Sequence, residues 1–84
     1  MDAYLITFRS ITPAQRGESV LRRERIACTL KRTPLWLQEK GCGYSLRISK
    51  AYALPAVSLL RSAQIPFQKV YYQPENGRAE EVNL

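Results

Sequence analysis

The sequence predicts a single α+β domain built from two βαβ units in tandem, and three observations carry that prediction. Strand-like and helix-like patterns run strand, helix, strand and then repeat in the same order. The two halves also match in residues at one constant offset: Ser10 with Ser49, Ser19-Val20-Leu21-Arg22 with Ser58-Leu59-Leu60-Arg61, and Ile26 with Ile65. With 84 residues, the chain can bury one core and not two. A doubled unit of this size fits the ferredoxin-like βαββαβ arrangement, with two helices on one face of a four-stranded antiparallel sheet and the other face open. Residues 1–72 are expected to form that domain, and 73–84 a C-terminal tail that frays or adds a short extra strand.

Each element has a local reason. Ala3 to Arg9 is rich in Tyr, Leu, Ile, Thr and Phe at both parities, as in a central strand covered at least partly on both faces, with Tyr4, Ile6 and Phe8 sharing one of them. Thr12-Pro13-Ala14-Gln15 reads as a capping box, so a helix is expected from Pro13 to near Arg25. Its stripe of Ala14, Gly17, Val20 and Leu21 is small and narrow enough to lie close to a sheet. Ile26, Cys28 and Leu30 then alternate with Ala27, Thr29 and Lys31, which places Cys28 in the core.

In the second half the expected elements are a strand from Tyr44 to Ile48, a Ser-Lys-Ala turn, a helix over Val57 to Ala63 and a strand from Ile65 to Tyr72. Pro55 requires this helix either to bend or to start late, because a cap at Ser49 would put the proline beyond the first turn. Between the halves lies a long connection, Arg32 to Gly43, of a length that in compact domains tends to be functional.

Composition narrows the function classes. Hydrophobic residues are 45% and charged residues 24% of the chain, the balance of an ordinary folded domain. No apolar run reaches the length of a membrane helix and no basic n-region opens the chain, so a cytoplasmic protein is expected. Two cysteines and no histidine give neither a disulfide scaffold nor a metal site. Lys and Arg number 13 against 7 Asp and Glu, a net +6, and the basic residues crowd between Arg22 and Arg32. That asymmetry suggests an acidic partner, or else a solvated basic helix face.

Cys42 stands between Gly41 and Gly43, whose missing side chains leave room for a partner to approach the sulfur. Lys31, Arg32, Lys40 and Arg47 could favour its thiolate. The alternative is a small buried residue at a strand entry, with the glycines serving a turn or bulge. Trp36 can be read as a docking anchor or as a lid on the core.

The combination Tyr4-Leu5-Ile6-Thr7-Phe8-Arg9-Ser10, a helix, Thr33-Pro34, Gly41-Cys42-Gly43 and Ala63-Gln64-Ile65 resembles the selenium/sulfur carrier protein-like family of small bacterial domains. The resemblance implies that Cys42 carries sulfur or selenium as a persulfide or perselenide, without a cofactor. Sulfur or selenium donor and acceptor proteins with acidic surfaces would then be the partners, docking on Arg22, Arg23, Lys31, Arg32, Trp36, Lys40 and Arg47. A competing reading is an interaction or regulatory domain, with homodimer formation through an open face or strand edge. RNA binding on an open sheet face is disfavoured because Leu5, Thr7, Ser45 and Arg47 offer no aromatic plane there. An enzyme in the usual sense is the weakest class, since no histidine base, phosphate-binding loop or paired acid motif is evident.

Overall fold

The β-forming run at the N-terminus becomes β1, Ala3–Phe8, at the centre of the sheet. A computed structural model describes residues 2–33 and 43–84. After β1 come α1 (Ile11–Arg23), β2 (Cys28–Arg32), β3 (Tyr44–Ser49), a short 3₁₀ turn (Lys50–Tyr52), α2 (Ala53–Ser62), β4 (Val70–Gln73) and β5 (Glu80–Val82). Among the described residues no helix is long and apolar enough to cross a membrane.

The strands lie in the order β2-β3-β1-β4-β5 with every neighbouring pair antiparallel. Each βαβ unit is therefore split by one strand of the other: β3 lies between β1 and β2, and β1 lies between β3 and β4. The sheet has five strands where four were expected. The fifth comes from the tail, in which Val82, Glu81 and Glu80 pair with Val70, Tyr71 and Tyr72. The return is pinned at its base, where Asp2 accepts hydrogen bonds from the Tyr72 hydroxyl at 2.8 Å and the Glu75 N–H at 2.9 Å. The Tyr72 bond first, and then the Glu75 bond, hold the Asp2 carboxyl below its ordinary pKa, and the Asp2 bond to Tyr72 raises that of the phenol.

Both helices stop in the same way. Arg25 and Gln64 adopt φ of 62° and 57°, and in each case the next residue donates back into the helix, Ile26 to Leu21 at 2.8 Å and Ile65 to Leu60 at 3.0 Å. With Arg25 bonded to Arg22 and Gln64 to Arg61, each end is a Schellman motif closed by a buried Ile–Leu pair. The residue repeat read from the sequence thus marks a structural repeat.

The starts differ from expectation. α1 begins at Ile11 with Ser10 as N-cap, two residues before Pro13, so the predicted capping box does not form. Pro13 stands third in the helix, where its missing N–H costs no bond. α2 resolves the Pro55 conflict by starting late: Ser49 caps the 3₁₀ turn instead, accepting from Ala51 N–H at 3.4 Å, and Pro55 is third in a helix that begins at Ala53.

Ile6, Phe8, Leu21, Leu46, Ile48, Val57 and Leu60 are fully buried between the helices and one sheet face. Gly17 lets α1 approach closely, since a Cβ there would meet Leu60, Leu46 and Phe8 side chains at 3.2–3.3 Å. The expected strand from Ile65 is shorter than read: Pro66 interrupts it, and regular pairing begins only at Val70. Ahead of it, Thr7 bonds both Gln68 and Lys69, the two-against-one count of a β-bulge.

The centre of the second sheet face is covered, contrary to expectation, while Thr29, Lys31 and Arg47 on it are exposed. Ala3, Leu5, Thr7, Ser45 and Tyr71 on that face are all buried. Part of the cause is the returning tail, which packs Ala79 against Leu5 and Tyr71. The Thr7 hydroxyl on this face is satisfied internally: it accepts from Lys69 N–H at 3.0 Å and donates to Lys69 C=O at 3.2 Å.

Candidate functional site

The connection that carries the cysteine motif leaves β2 and enters β3, and its two ends are held together. Thr33 N–H donates to Gly43 C=O at 3.0 Å, continuing the β2–β3 ladder beyond Arg32 and Tyr44. Gly43 is half-buried, its φ is not positive, and a Cβ added to it would meet nothing within 4 Å among the described residues. Close packing against the described residues therefore does not explain this glycine. Cys42, Gly41, Lys40 and Trp36 themselves lie outside the described residues.

The other cysteine is removed from chemistry. Cys28 faces the core, 6% exposed among Ile26, Ile48 and their neighbours, as its strand parity predicted. Burial pushes its thiol pKa up, and the nearby Arg22 only partly offsets this. A thiol kept neutral and enclosed is a poor nucleophile.

The basic residues divide into two groups. On α1, Arg22 is committed to structure, donating to Cys28 C=O at 3.0 Å and pairing with Glu18 at 3.4 Å, while Arg23 is exposed at the helix end. On the sheet, Arg32 lies over the Tyr44 ring at 5.4 Å. Lys31 and Arg47 project from the opposite face, diagonal to one another because Lys31 pairs with Ser45 and Arg47 with Thr29.

Lys31, Arg32 and Arg47 line one hollow of about 200 Å³ with Leu5, Ser45 and Gln73. The sequence placed Leu5, Ser45 and Arg47 on this face. It missed Gln73, which depends on β4 pairing with β1 through Ala3, a long-range register that no local pattern encodes.

An α+β domain with split βαβ units and a cysteine connection between its halves is the class defined so far. The model of the family described as "Putative Se/S carrier protein-like" matches residues 3–72, and the chain belongs to that family. No curated protein and no solved structure matches the chain.

Proposed function

We propose that this protein is a cytoplasmic sulfur or selenium carrier whose acceptor is the thiol of Cys42. The observation that carries the reading is the family match across residues 3–72, which includes Gly41-Cys42-Gly43, in a chain whose other cysteine is buried. We read the first four strands and two helices as a ferredoxin-like frame to which β5 is an addition. In this frame the cysteine connection joins the edge strand β2 to β3.

In the transfer step the Cys42 thiolate attacks the outer sulfur of a donor persulfide. A new S–S bond forms on Cys42, the donor's S–S bond breaks, and the donor cysteine leaves as thiolate, so no external oxidant or cofactor is needed. Delivery reverses the roles, with an acceptor nucleophile taking the outer atom. Lys31 and Arg32, at the β2 end of the connection, favour the thiolate electrostatically. The exposed arginines at the end of α1, Arg23 and Arg25, steer an acidic donor, so docking weakens as salt rises.

The test is intact-mass spectrometry after incubation with a cysteine desulfurase and cysteine. Wild type should gain one sulfur that reductant removes, and Cys42→Ser should gain none while keeping its fold. Equal gain by both, or no gain by wild type with any persulfide donor, would leave the interaction-domain reading in its place.

A further inference from the structure

The second sheet face holds a hollow of about 200 Å³ at Lys31 and Arg47, separate from the helix-covered core. We propose that it binds a small tetrahedral oxyanion, a phosphate or sulfate group, between those two side chains. The inference rests on described strands alone and not on the carrier reading.

Lys31 and Arg47 are diagonal neighbours on β2 and β3, roughly 7–8 Å apart in such a geometry, so two long cationic side chains can converge on one ion. Among the described residues neither Lys31 nor Arg47 takes part in an ion pair, whereas Arg22 pairs with Glu18 and Lys69 with Glu81. Two like charges side by side on rigid strands repel, and an anion between them relieves that repulsion. Arg32 also lines the hollow, but its guanidinium is directed at Tyr44.

The floor is enclosed: Leu5 is 7% and Ser45 2% exposed, so an ion seated there is partly withdrawn from water, where its attraction to the cations is stronger. Gln73 walls the side toward β4, with its amide nitrogen held by the Gly77 and Pro74 carbonyls at 3.0 and 3.4 Å. A planar guanidinium bonds two oxygens of a tetrahedral anion at once, and an ammonium supplies a point charge beside it. Size selects the class, because 200 Å³ is below the roughly 300–1,000 Å³ of pockets for drug-sized ligands and suits one small anion.

The experiment is an NMR amide-shift titration of the whole chain with sodium phosphate and, separately, sodium sulfate, at ionic strength held constant with sodium chloride. Saturable shifts centred on Leu5, Ser45 and Arg47 are expected. Lys31→Gln with Arg47→Gln should weaken binding at least about tenfold, Arg47→Lys should keep part of it, and Arg22→Gln with Arg23→Gln should leave it unchanged. Both cations of the hollow are exposed, so the variants should fold, and single Arg47→Gln repeats the test if the double variant does not. Non-saturating shifts spread over all basic residues, unchanged affinity in Lys31→Gln/Arg47→Gln, or saturation by a glutamate-rich peptide but by neither ion would overturn the proposal. None of these outcomes bears on whether Cys42 accepts sulfur.

Discussion

The centre of the sheet is covered on both faces, but by different means. The helix side is sealed by hydrocarbon, with Ile6, Phe8, Leu46 and Ile48 under Leu21, Val57 and Leu60. The second side buries Thr7 and Ser45 beside Leu5 and Tyr71, and carries Lys31 and Arg47 at its margin. The apolar face holds most of the stability because burial acts on every methylene there. The mixed face contributes less and keeps polar and charged groups near the connection that bears Cys42.

Truncation in the apolar face is the strongest test of that division. Leu60 is fully buried and closes the Schellman motif of α2, so Leu60→Ala should lower stability by about 2–5 kcal/mol in chemical denaturation. On the mixed face, Thr7→Val keeps the shape but removes both hydroxyl bonds to Lys69. It should cost about 1–2 kcal/mol. A loss from Thr7→Val as large as that from Leu60→Ala would erase the distinction between the faces.

A smaller effect of opposite sign is expected at the helix ends. Arg25 and Gln64 occupy the left-handed region that glycine tolerates best. Arg25→Gly and Gln64→Gly should each stabilise by about 0.5–1 kcal/mol, read as a higher denaturation midpoint. If either destabilises, its side chain holds the exit from the helix by contacts that outweigh the strain.

These comparisons also show what was legible in the sequence. The repeat marked both helices, and Ile26 and Ile65, matched in the sequence, prove to be the residues that close the two Schellman motifs. The alternation Ile26, Cys28, Leu30 was enough to bury Cys28, since strand parity is local. Helix starts were less legible: Thr12-Pro13-Ala14-Gln15 has the pattern of a capping box, yet α1 begins at Ile11 after Ser10, whose side chain makes no capping bond. Pro66 does not itself reveal that pairing waits until Val70.

The covered centre of the second face was invisible for a different reason. It depends on the tail returning Ala79 over Leu5 and Tyr71, and on Asp2 reaching Tyr72 and Glu75 across most of the chain. The candidate site was legible as a motif, Gly41-Cys42-Gly43. The hollow was not, because Gln73 joins it only through the β1–β4 register.

The most direct measurement is where transferred sulfur resides. The folded protein is loaded from a radiolabelled desulfurase persulfide, remaining thiols are blocked under denaturing, non-reducing conditions, and the proteolytic peptides are separated. The label should lie on the peptide containing Cys42 and be released by reductant, while the Cys28 peptide is recovered alkylated and unlabelled. Label on the Cys28 peptide, or label distributed between the two cysteines, would contradict the account.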